Sequence, residues 1–341
     1  MKVLIVKTSS LGDLIHTLPA VTDAVSAIPD IQFDWVAEEA FAEVPSWHPA
    51  VERVIPIAIR RWRNSWIKSW LDGEIKQTRH ELRRREYDLI IDAQGLNKSA
   101  LLARMARGYA VGLDSNSTRE PGAARFYNKG IYVPREMHAI ERVRSLFSQA
   151  LGYAKPESEP DYGITNSDLS SSITPYLIFL HGTTWVTKLW PEEYWVELAR
   201  IAALKGFQVL LPWGSDEERQ RAENIIQRSG SGELLPRLSL SEMKERLAGA
   251  KGVVGVDSGL AHLAAALSMP AVTMYGPTKT YLTGAIGKLQ SNLQAEFECA
   301  PCMLKECSYS VATDVSPACF SSLTPEVVWS ALESRMGEVD K

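Results

Sequence analysis

The chain has 341 residues, of which 45% are hydrophobic and 23% charged, with a formal net charge of −4 and a pI near 6.0. This composition is typical of a folded protein of about two domains and excludes disordered, collagen-like and coiled-coil classes. The acidic balance argues against a general nucleic-acid binder. No apolar run has the length of a membrane span and no signal peptide is visible, so we expect a cytoplasmic protein with reduced cysteines.

The first predicted strand is the buried run 3–6, which leads through a turn of small residues into a helix. In an open parallel sheet, ligands bind beyond the carboxyl ends of the strands, which places Ser9, Ser10 and Gly12 near a substrate. Asp13 lies where the helix begins. An Asp at that place commonly caps the helix, and this motif alone favours capping over catalysis.

The rest of the first half alternates strand and helix patterns. Further strands are predicted at 32–37, 54–59 and 87–92, and helices at 98–107 and 139–151. Such alternation predicts βαβ units and a right-handed, doubly wound parallel sheet. Segment 155–175 is rich in Pro, Ser and acidic residues and is the predicted linker.

Positive charge is concentrated between residues 60 and 86. Nine basic and four acidic residues give this segment a formal charge of +5 and leave −9 for the remainder. Three arginines follow the third strand and suit an anionic acceptor: Arg60, Arg61 and Arg63. Trp62, Trp66 and Trp70 would share one face of a helix. Such a stripe most often belongs to a core, and the alternative is an interfacial helix on an anionic membrane.

The second half repeats the same pattern. Strands are predicted at 176–180, 209–212, 234–235, 252–256 and 272–275. Helices are predicted at 191–204, 240–247 and 260–267, and another helix carries Glu217 and Glu218 near its start. We therefore expect an α/β protein in which two Rossmann-like, doubly wound domains face each other across a cleft. The predicted boundaries are 1–165 and 175–325, with a C-terminal helix or tail at 326–341 that packs back on the first domain.

Two loops of the second half carry candidate ligand-binding residues. In the string Asp257-Ser258-Gly259-Leu260-Ala261-His262, a strand ends in a turn that opens a helix, which is typical of a phosphate site and equally typical of a Ser N-cap with a packed His. Thr183, Thr184 and Lys188 follow another strand at the same sheet edge and would converge on a diphosphate. Glu217 and Glu218 stand where an acid can accept ribose hydroxyls.

The four cysteines are Cys299, Cys302, Cys307 and Cys319. The first two could chelate zinc, but the later spacings match no paired CxxC ribbon. We favour reduced thiols or a structural role, and we predict no metal and no cofactor.

The residues then point to a family. The chain resembles the bacterial ADP-heptose:lipopolysaccharide heptosyltransferases in strings that follow one another along nearly its whole length. These strings include VLIVKTSSLGDLIHTLPA, FDWVAEEAFAEVPSWHPAVERVIPIAIRRWR, DLIIDAQGLNKSA, TREP, HGTT, LPWGS, LAGAKGVVGVDSGLAHLAAAL and MYGPT.

This resemblance implies a GT-B glycosyltransferase that is inverting and metal-independent. It would transfer L-glycero-D-manno-heptose from ADP-heptose to the Kdo region of Kdo2-lipid A, at the cytoplasmic face of the inner membrane. Asp13 would be the general base and Lys188 would steady the leaving diphosphate. The implied donor-binding residues are Thr183, Thr184, Lys188, Trp213, Gly214, Glu218, Leu238, Asp257, Ser258, Gly259 and His262. The implied acceptor-binding residues are Ser9, Ser10, Gly12, Arg60, Arg61, Arg63 and Arg119.

Several alternatives stay open. The segment from Cys299 to Cys319 looks more like relatives that add the second heptose. A nucleotide-sugar epimerase could use the same architecture without an acceptor, and the Arg and Trp segment could belong to a non-catalytic lipid-binding protein. A NAD-dependent enzyme is disfavoured because no GxGxxG opens either domain.

Overall fold

A computed structural model of the protein describes residues 1–64, 72–164 and 174–339. The chain divides into two compact units, residues 1–164 and 165–341. Trp66 and Trp70 of the predicted aromatic stripe, and residues 165–173 of the predicted linker, lie outside the described residues.

The first unit is built on a parallel sheet of six strands in the order β3-β2-β1-β4-β5-β6. The strands are β1 (Lys2–Val6), β2 (Gln32–Glu38), β3 (Val51–Ile57), β4 (Glu86–Asp92), β5 (Arg107–Leu113) and β6 (Lys129–Ile131). Residues 3–6 of β1 are fully buried, as an aliphatic strand covered on both faces should be. The strand order reverses between β1 and β4, so the loops that follow these two strands flank a crevice.

The described helices of this unit are α1 (Leu11–Ile15), α2 (Leu18–Ala27), α3 (Glu43–Ser46), α4 (Ile59–Asn64), α5 (Glu74–Arg83), α6 (Asn97–Met105) and α7 (Ala139–Leu151), with 3₁₀ turns at Glu39–Phe41 and Pro121–Phe126. Helix α7 packs on α2. A buried ion pair joins the two, since Arg144 Nε lies 2.7 Å from Asp23 Oδ2. This contact fixes the position of α7 against α2, and α7 also packs on β5 and β6.

The second unit has its own parallel sheet of six strands, in the order β12-β11-β10-β7-β8-β9. The strands are β7 (Tyr176–Leu180), β8 (Gln208–Leu211), β9 (Glu233–Leu234), β10 (Gly252–Val256), β11 (Ala271–Tyr275) and β12 (Gln290–Gln294). The described helices are α8 (Glu192–Leu204), α9 (Asp216–Ser229), α10 (Leu240–Ala248), α11 (Gly259–Ala266), α12 (Thr280–Thr283) and α13 (Pro325–Val339), with 3₁₀ turns at Val186–Lys188 and Ala318–Ser322. The two sheets confirm the predicted α/β class with two doubly wound, Rossmann-like folds.

The C-terminal helix α13 packs on the second sheet. Val328, Trp329 and Leu332 belong to the core of this unit, where they lie among residues of β7, β10 and β11. These contacts place α13 against the second sheet, and the expectation that segment 326–341 packs back on the first unit stays a prediction.

Three strands were not expected from the sequence, and one was expected too late in the chain. Strands β5, β6 and β12 lay in stretches assigned no regular structure. Strand β3 begins and ends before the predicted 54–59, because Ile59 already starts helix α4. None of the helices within the described residues has both the length and the apolarity needed to cross a membrane.

Candidate active site

The loop after β1 places Asp13 in the first turn of helix α1. The backbone N–H and the hydroxyl of Ser10 both donate to Asp13 Oδ2, at 2.9 and 3.0 Å. Ser10 is the N-cap of α1 and Asp13 completes a capping box with it, so the carboxylate takes part in capping but is not itself the N-cap that the sequence suggested. Its side chain is nevertheless 38% exposed, so a capped Asp13 can still reach a ligand.

The other oxygen of this carboxylate faces a lysine. Lys7 Nζ lies 3.5 Å from Asp13 Oδ1 and donates to the Ala93 carbonyl at 3.0 Å. Burial raises the pKa of Asp13, but Lys7, the hydrogen bonds from Ser10 and the charge of Arg119 outweigh it and hold that pKa below its usual value. Asp13 is thus a carboxylate, not a carboxylic acid, at neutral pH.

The loop after β4 supports the loop after β1. The side-chain oxygen of Gln94 accepts from the N–H groups of Thr8 and Ser9, at 3.0 and 3.2 Å. Gln94 is itself held because its own N–H donates to the buried carboxylate of Asp92 at 2.8 Å. Burial raises the pKa of Asp92 in spite of the hydrogen bonds it accepts. The turn that carries Ser9, Ser10 and Gly12 is thereby fixed by a neighbouring strand end.

A cavity of about 80 Å³ opens beside Asp13. Two arginines line it, Arg119 from the loop after β5 and Arg142 from helix α7, together with Lys7 and His16. Of the arginines predicted to bind the acceptor, Arg119 shares this cavity with the carboxylate. Arg142 was not anticipated from the sequence, because only the fold brings α7 to the end of β1.

The other predicted acceptor arginines lie near helix α4. Arg61 Nη1 is 2.7 Å from Glu74 Oε1 and Arg61 Nε is 3.3 Å from Glu39 Oε1. These hydrogen bonds raise the pKa of Arg61. The guanidinium of Arg60 stacks over the ring of Phe41 at 5.0 Å. Arg61 lines a separate cavity from that of Asp13, and the side chain of Arg63 lies outside the described residues.

In the second unit, three adjacent strand ends bring Lys188, Asp257 and Thr278 together. Lys188 Nζ lies 2.7 Å from Asp257 Oδ2, and the Thr278 hydroxyl donates to the same oxygen at 2.6 Å. The Asp257 side chain is 7% exposed and that of Lys188 16%, so the pair is shielded without being sealed. Lys188 Nζ also lies 4.7 Å above the ring of Trp185. Asp257 therefore positions the cation that the sequence had assigned to a diphosphate.

The N-terminus of α11 adds hydrogen-bond donors at the same edge. Ser258 is its N-cap, and the buried Ser258 Oγ has no hydrogen-bond partner among the described residues. His262 Nε2 lies 3.8 Å from Asp257 Oδ1 and its ring is buried. Thr183 Oγ1 donates to the Asp257 carbonyl at 3.2 Å. Helix-end N–H groups, hydroxyls and an ammonium are suited to bind phosphate.

The first turn of α9, which follows β8, contributes an acid. Glu218 Oε2 accepts from the Gly214 N–H at 2.7 Å, and Trp213 Nε1 donates to the Leu235 carbonyl at 2.8 Å. A Cβ at Gly182 would lie only 2.2 Å from Glu218 Oε1, so glycine is what lets the carboxylate approach the β7 loop. Of the two acids predicted from the sequence, Glu218 is thus the one at the strand ends, while Glu217 is exposed.

Leu238 is half-buried in the loop that precedes α10, and Thr184 is exposed in the loop after β7. The structure gives neither side chain a polar contact that would identify its role. Both stay predictions of the donor-binding set.

The cysteines are all unpaired thiols. Burial, together with the neighbouring Cys299, Cys302 and Cys307, raises the pKa of Cys319 to about 11. Within residues 1–64, 72–164 and 174–339, no three or more His, Cys, Asp or Glu side chains form a group that could hold a metal ion.

Comparison with known proteins identifies a family. A family model described as glycosyltransferase family 9 (heptosyltransferase) matches residues 75–312. The chain is 51% identical to lipopolysaccharide heptosyltransferase 1 of Pseudomonas aeruginosa, over 98% of either protein.

Two solved structures of an Escherichia coli heptosyltransferase have a similar fold. One contains ADP and has a TM-score of 0.87 at 46% identity, covering 98% of this chain and 100% of that chain. The other contains ADP-2-deoxy-2-fluoro heptose and has a TM-score of 0.84 at 45% identity, covering 98% of this chain and 99% of that chain.

Proposed function

The chain belongs to glycosyltransferase family 9 and is a heptosyltransferase of the lipopolysaccharide inner core, and from this we propose that its acceptor is the Kdo region of Kdo2-lipid A. The donor is a nucleotide sugar, which we take to be ADP-L-glycero-D-manno-heptose. The observation that carries the proposal is the pair of strand-end sites: an ionised carboxylate at Asp13 and a shielded cation at Lys188.

We assign the proton transfer to Asp13. Its carboxylate removes the proton of the acceptor hydroxyl as that oxygen bonds to C1 of the heptose, while the bond from C1 to the diphosphate breaks. A single displacement of this kind inverts the configuration at C1. Because Asp13 is already ionised, no prior deprotonation is needed, and a positioned base of this type contributes about 10²–10⁴-fold to rate.

We assign stabilisation of the leaving group to the second unit. Lys188, held by Asp257, and the N–H groups at the start of α11 would stabilise the negative charge that grows on ADP. We propose that these groups suffice without a divalent metal. Activity in excess EDTA would therefore match activity without it, and loss that added magnesium or zinc restores would contradict this assignment.

The lipid acceptor implies that the protein works at a membrane surface. We propose peripheral association with the cytoplasmic face of the inner membrane through the basic segment 60–86. The charge on that segment, set against an acidic remainder, supports an oriented contact.

A transfer assay tests the acceptor. Purified protein is given ADP-heptose with either Kdo2-lipid A or its mono-heptosylated product, and we expect transfer to the first. Transfer only to the second would identify addition of the second heptose, and release of an epimerised sugar without acceptor would identify an epimerase.

The base is tested by Asp13→Asn, which retains an oxygen for the hydrogen bonds from Ser10. We expect turnover to fall by about 10²–10⁴-fold with unchanged ADP affinity. Asp30→Asn is the matched control, because Asp30 is exposed and its left-handed backbone, with φ of 59°, also suits Asn. Turnover near that of the control would refute the assignment.

A further inference from the structure

One cation in the Asp13 cavity has no part in the chemistry described above. Arg142 lies on helix α7, and its Nη2 donates to the Ser117 carbonyl at 2.7 Å. Its Nε is buried and has no hydrogen-bond partner among the described residues. A buried donor on a charged group is costly when it is left unpaired, so its retention beside a cavity points to an acceptor that a ligand supplies.

The surroundings of Arg142 carry excess positive charge. Burial lowers the pKa of Arg142, as do the nearby charges of Arg135 and Arg119, and only Glu136 acts in the opposite direction. In the cavity itself, the charge of Lys7 is balanced by Asp13. Asp13 is the one carboxylate among the described residues that line this cavity, and it faces three cations, Lys7, Arg119 and Arg142. The group that completes this site is therefore an anion.

We infer that Arg142 and Arg119 bind a carboxylate of the acceptor sugar and thereby hold its hydroxyl beside Asp13. A cavity of about 80 Å³ is large enough to admit a group of carboxylate size. The planar guanidinium forms paired hydrogen bonds with a carboxylate, which fixes orientation as well as position. This inference rests on the proposed function, in which the acceptor is an acidic sugar, and it assigns the specificity for that acid to Arg142.

The test pairs a variant with a modified acceptor. Wild-type protein and Arg142→Gln are assayed with Kdo2-lipid A and with the same acceptor after its carboxylates are converted to primary amides. We expect Arg142→Gln to raise the KM for the native acceptor by about 10- to 100-fold, the usual range for a lost charge-assisted hydrogen bond, with the KM for ADP-heptose unchanged. With the amide acceptor, the KM of the wild type should rise by a similar factor, whereas the KM of Arg142→Gln should rise little further.

Arg104→Gln is the control, since Arg104 is an exposed arginine on α6 outside the cavity lining. Arg142→Lys retains the charge without the paired geometry, and we expect a smaller rise in acceptor KM. If Arg142→Gln does not fold, Arg142→Lys provides the test in its place.

Three results would overturn the inference. The first is a KM of Arg142→Gln for the acceptor within about twofold of that of the control variant. The second is an Arg142→Gln substitution that raises the KM by the same factor for the native and the amide acceptor. The third is a KM that depends on the lipid phosphates of the acceptor and not on its carboxylates. Titration of the protein with a Kdo disaccharide, without donor, measures the subsite separately. Weaker binding by Arg142→Gln in that titration would support the subsite even if no heptose were transferred, so the inference and the proposed function fail on different readouts.

Discussion

The two oxygens of Asp13 have different partners. Oδ2 accepts both hydrogen bonds from Ser10, whereas Oδ1 faces Lys7 at 3.5 Å. The sequence set capping and catalysis against each other as explanations of this residue. The geometry removes the conflict, because the cap orients the carboxylate and the side chain remains 38% exposed.

Replacing Lys7 tests what holds Asp13 ionised. Burial alone would raise the pKa of Asp13, and Lys7 is the largest of the influences that lower it. We therefore expect Lys7→Met to raise that pKa, so that the acid limb of the kcat/KM profile for the acceptor moves to higher pH. Lys2→Met, at the exposed first position of β1, is the control. If the maximal kcat/KM falls while the acid limb of the profile stays at the same pH, Lys7 does not set the pKa of the base.

Asp257 gives a prediction for the donor. Asp257→Asn keeps an oxygen for the Thr278 hydroxyl but removes the charge that holds Lys188 at 2.7 Å. We expect ADP affinity to fall by about tenfold or more, the effect of one charged hydrogen bond, with the acceptor KM unchanged. Calorimetric titration with ADP measures this directly. An equal loss for acceptor and donor would indicate general misfolding.

These partners mark the limit of inference from sequence. Lys188, Asp257 and Asp13 were found because each follows a strand pattern. Thr278 gives no signal of its own in the sequence, since its contact with Asp257 depends on β10 and β11 being neighbours in the sheet. Arg142 gave no local signal, because an arginine on an amphipathic helix is usually solvated.

Strands and helices were predictable where hydrophobic residues follow a clear period. Helix α7, strand β7 and strand β10 have the predicted bounds. Strand β5 was missed because Gly108 and Gly112 interrupt its apolar pattern, and β12 because an edge strand of polar residues has none.

Gly112 in β5 has a packing role that can be measured. A Cβ there would lie 2.4 Å from the ring of Tyr127, whose hydroxyl donates to Asp92. We expect Gly112→Ala to lower the free energy of unfolding by about 1–3 kcal/mol, as overpacking of a core does. Gly337→Ala in α13 is the control, because a Cβ there has nothing within 4 Å and alanine favours a helix. Equal stability of the two variants in urea titrations would contradict the steric explanation.

The whole chain is acidic, with a net charge of −4, yet one helix displays a basic face. On α5, Lys76, Arg79 and Arg83 are exposed, while Thr78 and Leu82 are buried. Their spacing places the three cations on one side of the helix. Arg61, in contrast, is neutralised by Glu39 and Glu74. Among the described residues of the basic segment, the exposed face of α5 is therefore well placed to meet an anionic surface.

This face leads to a prediction about membrane binding. Vesicles that contain an anionic phospholipid should retain the protein at low salt and release it at about 0.5 M salt, where the Debye length is only a few ångström. Substituting Gln for Lys76, Arg79 and Arg83 together should weaken retention. The same change at Lys205, Lys251 and Lys288, which are exposed in the second unit, should not. Binding that is equal on neutral vesicles, or indifferent to salt, would mean that apolar contact carries the association, because a charged face cannot bind a neutral lipid surface by attraction alone.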